Sequence, residues 1–317
     1  MLSPEENKDR WVLFNLEKKI MKNKILRITF SLAVVGLFAT SAKADDRFSV
    51  EMENDFIFNK DCDYTHSTRL EYQHDDYVFA FGQNMYTPNN KKADYPLPDQ
   101  HPYAGYLYGE LGYMLDDDDE NHYFGLQLGV VGPHSYAEDT QKFIHKMIGD
   151  VDPKGWKYQL SDEFVFQLIY MHRQEFLLVG DRSGWNAKLI GKIGESSGLA
   201  QVYGLLGAEL RLGYNTYHGS ADDIVMIAAV RNDNPWSVYG ILGGEFRAYA
   251  WNIFLDGNYA HDSLSVDSKW DVWEGRAGFG FDVYGLDGRA LWVWRTKEYE
   301  TQLKNTQFMS VQLGYTF

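Results

Sequence analysis

Gln141 and His145 stand four residues apart, in a segment from 132 to 156 that breaks the pattern of the rest of the chain. Positions i and i+4 share one face of an α-helix. Read as an amphipathic helix, the segment therefore presents an amide and an imidazole together. An unperturbed imidazole titrates at about pH 6.5, so at neutral pH it can take a proton from water. Other polar groups precede it: Asn54-Asp55, Thr65 and Lys91-Lys92. A carboxylate beside an amide oxygen suits a hard cation, and a lysine attracts phosphate. There is no Gly-X-Ser-X-Gly elbow, which disfavours a serine acyl-enzyme. Cys62 is the only cysteine and no Cys/His signature surrounds it, so it reads as an incidental loop residue without an internal disulfide.

Residues so far apart in sequence need a scaffold that gathers them. In Ser310–Phe317 the odd positions Val311, Leu313, Tyr315 and Phe317 are apolar, the period of a strand with one apolar face. Similar segments recur, giving about twelve expected strands: Arg47–Phe58, Thr65–His74, Tyr77–Tyr86, Tyr103–Leu115, His122–Val131, Glu163–Arg173, Trp185–Ile193, Ala200–Tyr214, Ser237–Tyr259, Trp270–Val283, Gly288–Thr296 and Gln307–Phe317. Ile224–Val230 reads either as another strand or as part of a long turn. No apolar run after Asp45 approaches a membrane helix, yet aromatic residues make up 16% of the chain, with 22 Tyr and 9 Trp. Mean hydropathy is negative, as it must be where lipid-facing and lumen-facing residues alternate. The expected fold is an all-β, transmembrane, antiparallel up-and-down barrel with one short helix in an extracellular loop. Closure leaves no strand edge unpaired in lipid.

Ahead of the barrel, residues 1–20 read as an upstream extension and 21–44 as a secretory signal. Its n-region is Met21–Arg27, its apolar core Ile28–Thr40 and its cleavage box Ala42-Lys43-Ala44. The apolar run falls short of the roughly 20 residues that span a bilayer. The barrel is then residues 45–317, which carry 22 basic and 41 acidic side chains, a formal charge of −19. That excess argues against nucleic acid, whose binding needs a basic face. The acidic run Asp116–Glu120 resembles a metal site in composition, but consecutive carboxylates repel and do not converge, so it reads as a solvated turn.

With both termini periplasmic, the loops after odd-numbered strands lie outside the cell. Asn54-Asp55, Thr65, Lys91-Lys92 and the helix then meet at one outer rim.

Several segments, in order, resemble the lipid A 3-O-deacylase (LpxR-like) outer-membrane family. They are Glu53-Asn54-Asp55-Phe56, Asp63-Tyr64-Thr65, His101–Tyr108, and a long block running from Leu128–Pro133 through Glu138–His145 to Ile148-Gly149 and Pro153–Trp156. The resemblance implies a twelve-stranded barrel that removes the 3-linked acyloxyacyl chain of lipid A in the outer leaflet, with Ca²⁺ as cofactor. It implies that His145 activates water with Gln141 as its neighbour, that Asn54 and Asp55 associate with the cation, and that Thr65 supplies a hydroxyl. A lysine falls on Lys91 or Lys92, and a further acidic residue for the cation falls on Asp150 or Asp152, with Asp150 taken as the metal residue. His66-Ser67 stand where a small residue and Gly are usual, which bears on substrate fit more than on reaction type. The barrel is expected to act as a monomer. A non-catalytic pore or surface-binding barrel, and a phospholipase using the same groups, are the competing functions.

Overall fold

In the computed structural model, residues 46–55, 63–117, 119–181, 183–216 and 236–317 are described. The extension and signal expected in residues 1–44, Cys62 and Ile224–Val230 lie outside them.

Among the described residues twelve antiparallel strands close into one barrel. They are β1 Arg47–Asn54, β2 Asp63–His74, β3 Tyr77–Thr87, β4 Ala104–Asp117, β5 Glu120–Val131, β6 Glu163–Gly180, β7 Trp185–Gly198, β8 Gln201–Tyr214, β9 Trp236–Asn252, β10 Asp271–Val283, β11 Leu286–Arg295 and β12 Thr306–Thr316. β1 closes the ring on β12, with Arg47 opposite Thr316 and Asn54 opposite Met309. The helix α1, Ala137–Ile148, follows β5, and a single helical turn, α2, Ile253–Asp256, follows β9.

Alternation places the two faces. On β5, Phe124, Leu126 and Leu128 are exposed, whereas Tyr123 is fully buried. The outward rows form the lipid-facing band expected of an outer-membrane barrel. Aromatic pairs sit at its periplasmic edge, among them Tyr77–Tyr113 with ring centroids 5.3 Å apart and Tyr214–Trp236 at 4.4 Å. The inward rows hold paired charges. Arg69 lies 2.9 Å from both Glu71 and Glu110. Glu245 takes Lys192 and Arg276, each at 2.9 Å, and Arg276 also reaches Glu274 at 2.8 Å. A charge kept from water needs such a partner.

Three boundaries depart from the alternation pattern. β6 runs on to Gly180, because the consecutive apolar residues Phe176, Leu177, Leu178 and Val179 are all exposed and pass through a register shift between Leu177 and Val179. β7 continues through the polar Glu195-Ser196-Ser197, where Ser196 accepts from Gln167 Nε2 at 2.6 Å inside the barrel. β9 stops at Asn252 rather than reaching Tyr259. The Asn252 side chain accepts from Phe254 N at 3.2 Å and so caps α2, and Gly257 ends the turn at φ +88°.

Candidate active site on the outer wall

α1 forms where its ends are well signalled. Gly132, at φ +105°, lets the chain turn away from β5. Glu138 and Asp139 lie in the first turn, and His145 and Lys146 in the last, each favourable to the helix dipole. Gly149, at φ +71°, caps the C-terminus through its N–H to the His145 carbonyl. Ala137, Gln141 and His145 are buried on one side, as the i, i+4, i+8 spacing requires. Phe143 and Met147 are exposed on the other.

The helix packs on the outside of the barrel. On β3, Tyr77, Phe79 and Phe81 form the exposed outward row, and Gln83, Met85 and Thr87 continue it upward. Met85 is only 1% exposed because Tyr103, Ala137 and Trp156 cover it. Gly105 lies in the outward row of β4; a Cβ there would stand 2.0 Å from Ser135 Oγ and 2.4 Å from Ala137 Cβ. The close approach of α1 to the wall therefore depends on that glycine. Gln83 Nε2 donates to the Ser135 carbonyl at 2.6 Å and fixes the approach to the helix.

Beneath the helix the polar groups fall into two linked sets. In the first, His145 Nδ1–H donates to the Val151 carbonyl at 2.5 Å, which leaves the lone pair of a neutral ring on Nε2. Gln141 Oε1 accepts from Trp156 Nε1 at 2.7 Å, and its buried Nε2 has no hydrogen-bond partner among the described residues. Asp150 Oδ1 accepts the Val151 N–H at 2.7 Å, and Oδ2 lies 3.5 Å from Lys91 Nζ. The Lys91 carbonyl accepts from Lys154 N at 2.9 Å and from Tyr103 OH at 3.3 Å, tying the two loops together. Partial burial holds the Lys91 ammonium below the ordinary lysine range, against the raising effect of Asp150 and then of Asp55. Burial pushes the Asp150 carboxyl up, but the Val151 N–H, Lys91 and His145 outweigh it and bring it below the usual carboxylate range.

The second set lies on the strands. Tyr64 pairs with Tyr86 and His66 with Met85, so Thr65 is the extra residue of a β-bulge. A bulge re-aims a side chain, and Thr65 Oγ1 here lies 2.7 Å from Thr87 Oγ1. Asn54 Nδ2 donates to the Thr65 carbonyl at 3.2 Å and lies 3.3 Å from His66 Nδ1. Asp55 is 1% exposed. Lys91, acted on by both Asp150 and Asp55, links the two sets electrostatically. Lys92 is exposed where Lys91 is half-buried, and both Asp150 and Asp152 are exposed.

Apolar residues of α2 reach across the barrel mouth. Ile253, Phe254 and Leu255 are buried, and Phe254 stacks on Tyr86 with centroids 4.4 Å apart. Tyr86 also stacks on His101 at 5.2 Å, and burial depresses that imidazole to about 4.

A closed β-barrel with a lipid-facing band, with a candidate polar site packed against its outer wall, defines the class of outer-membrane proteins. The sequence profile of the family described as outer membrane protein LpxR matches residues 26–317, and the chain belongs to that family. Among solved structures it is similar to LpxR from Salmonella typhimurium, with a TM-score of 0.74 and 19% identity over 86% of this chain and 100% of that one. The β domain of the Bordetella autotransporter Brka matches with a TM-score of 0.46 and 10% identity over 87% and 100%. No curated protein sequence matches.

Thr87 and Trp156 are contributors that the sequence reading did not assign roles to. Nothing marks a lone Thr at a strand end, whereas Trp156 lay within the segment that resembles the family.

Proposed function

We propose that this protein is a monomeric lipid A deacylase that hydrolyses the 3-linked acyloxyacyl ester in the outer leaflet. The supporting observation is the side of the wall. Met85, Thr87 and Gly105 belong to outward rows, so α1 holds Gln141 and His145 against the face that meets lipid. A site for a water-soluble solute would face the lumen or the mouth.

His145 Nε2 takes a proton from water, and the water oxygen adds to the ester carbonyl carbon. The bond from that carbon to the sugar oxygen then breaks. The proton passes to the sugar oxygen, and the acyl chain leaves as the acid. The Val151 carbonyl fixes the ring tautomer, acting as a positioning group. Gln141 Nε2, buried beside His145 with its oxygen committed to Trp156, is a donor for the developing oxyanion. Lys91, held by Asp150, attracts the phosphates of the lipid.

The donors fit Ca²⁺ in type, since the buried Asp55 carboxylate and the Asn54 amide oxygen are hard oxygen ligands. When bound there, the ion would polarise the ester carbonyl as a Lewis acid. Two side chains are few for Ca²⁺, so water, backbone or lipid oxygens complete the shell. Asp150 Oδ1 accepts the Val151 N–H and Oδ2 lies 3.5 Å from Lys91 Nζ; each oxygen keeps a further lone pair, so Asp150 steadies the lysine and is a third candidate ligand for the ion.

The test is mass spectrometry of lipid A from cells expressing the wild type or His145→Ala. Loss of the 3-linked acyloxyacyl chain with the wild type alone supports the proposal. Identical lipid A in both overturns it, and release of acyl chains from labelled phospholipid instead assigns a phospholipase.

A further inference from the structure

At the opposite end of the barrel, three ligand-type side chains meet on the outer wall. His122 on β5 and His172 on β6 are direct cross-strand partners. Both lie in outward rows, in register with exposed Phe124 and Leu126 on β5 and Phe166 and Leu168 on β6. Their rings lie 4.6 Å apart at 34°. Glu120, two residues before His122, places Oε1 3.2 Å from His122 Nε2 and 3.6 Å from His172 Nδ1. One ligand atom from each of the three lies within 4.8 Å of the others.

Two further details bear on what this cluster holds. His122 Nδ1 lies 3.0 Å from the Tyr170 hydroxyl. A carboxylate only accepts, so without an ion Nε2–H donates to Glu120 Oε1 and Nδ1 accepts from the Tyr170 hydroxyl; an ion would replace that proton, and Nδ1–H would then donate to Tyr170, the outer hydrogen bond that metal-binding histidines commonly make. Among the described residues His172 Nδ1, shielded from solvent, has no hydrogen-bond partner, an arrangement that costs free energy unless something coordinates it.

We propose that Glu120, His122 and His172 form a second metal site, at the periplasmic boundary of the membrane, that binds a borderline divalent ion of the Zn²⁺ class. Two imidazoles and one carboxylate are the donors such ions take, whereas Ca²⁺ prefers a shell of oxygens. Three protein ligands leave a coordination position for water or a lipid phosphate. The position in the fold suggests its use. The chain joins β5 to β6 at the outer rim, through the segment that carries α1, so at the periplasmic end only hydrogen bonds of the ladder and of side chains such as Gln174, whose Nε2 donates to the Asp119 carbonyl, hold them together. An ion held by both strands would cross-link them there. The site stands on its own geometry, independent of any activity at the outer rim.

The full untagged chain, refolded in detergent and freed of metal with a chelator, is titrated with Zn²⁺ by calorimetry. Co²⁺ absorption serves as an independent report on ligand type. The expected result is one Zn²⁺ bound per chain, competed by Co²⁺ and not by Ca²⁺, with a rise in melting temperature. His122→Ala and His172→Ala abolish that binding, and Tyr170→Phe weakens it by about tenfold. His145→Ala and Asp55→Asn, at the other end, leave it intact. Circular dichroism establishes that each variant keeps its barrel. No Zn²⁺ binding to the folded wild type, or undiminished binding by both folded histidine variants, overturns the proposal. So does binding lost with His145→Ala but kept with His122→Ala.

Discussion

Phe254 and Tyr86 reach toward each other from opposite walls, and their rings stack at 4.4 Å across the outer mouth. Phe254 follows β9 and Tyr86 lies on β3, six strands away in a ring of twelve. The mouth is thus crossed by an aromatic bridge, above a lumen lined by paired charges. The wild type is accordingly expected to conduct poorly in planar bilayers. Phe254→Ala should raise single-channel conductance without unfolding the barrel, because the strand ladder closes independently of α2. Equal conductance of the two proteins would show that the bridge does not occlude the mouth.

Gln141 holds the loop after α1 through Trp156. Gln141→Ala leaves the buried Trp156 N–H without its acceptor, a local cost of about 1–3 kcal/mol, and removes the donor assigned to the oxyanion. Deacylation is expected to fall mainly in kcat. Gln141→Glu keeps an acceptor for Trp156 but removes the amide donor. It should therefore restore the native fluorescence of Trp156 without restoring the rate. A full return of activity with Glu would reduce Gln141 to a structural role.

Lys91, not Lys92, is the lysine held by Asp150, so Lys91→Ala should lose much more activity than Lys92→Ala. Its ammonium lies below the ordinary lysine range, so the alkaline fall in kcat/KM should begin below the usual pKa of about 10.4. The linkage sign is distinctive. A depressed lysine means the native state binds fewer protons than the unfolded state between the two pKa values. This group's contribution to stability therefore rises with pH across that window while activity falls. The loss of activity is then separable from unfolding, which calorimetry at the same pH verifies. Lys91→Arg should abolish the limb, because a guanidinium stays charged. Asp150→Asn, by removing the nearest stabilising charge, should move it to lower pH.

The barrel was legible because alternation is a local property: twelve segments with one apolar row each, and a last strand of alternating apolar residues, point to closure without any knowledge of partners. The pairing of Gln141 with His145 on one buried face was legible for the same reason, since helical spacing fixes it. What alternation could not give was the side of the wall on which the site lies. The bulge at Thr65 inserts one residue into β2, so Tyr64 and Arg69 both face inward although one is even-numbered and the other odd. The choice of Lys91 over Lys92 was likewise out of reach, because it depends on where Asp150 lands in space. The Glu120–His122–His172 cluster needed cross-strand register, and the acidic run beside it reads as an ordinary turn.

Gly105 gives the sharpest separation between fold and site. It is the second residue of β4, paired opposite Met85 of β3, with a backbone that any residue adopts. Alanine there would extend the strand without harm to the barrel. Its Cβ, however, would occupy the space held by Ser135 Oγ and Ala137 Cβ, at 2.0 and 2.4 Å. Those atoms belong to the entry and first turn of α1, which must therefore lift from the wall. Gly105→Ala is expected to keep the thermal stability and circular dichroism of the barrel within the usual range for a surface change, about 0.5 kcal/mol. Lipid A deacylation should nonetheless drop steeply, because catalysis depends on displacements of about 1 Å. A second change, Ala137→Gly, removes one of the two clashing atoms and should recover part of the lost rate. If Gly105→Ala proves fully active, the docking of α1 on the outer wall is not what positions His145.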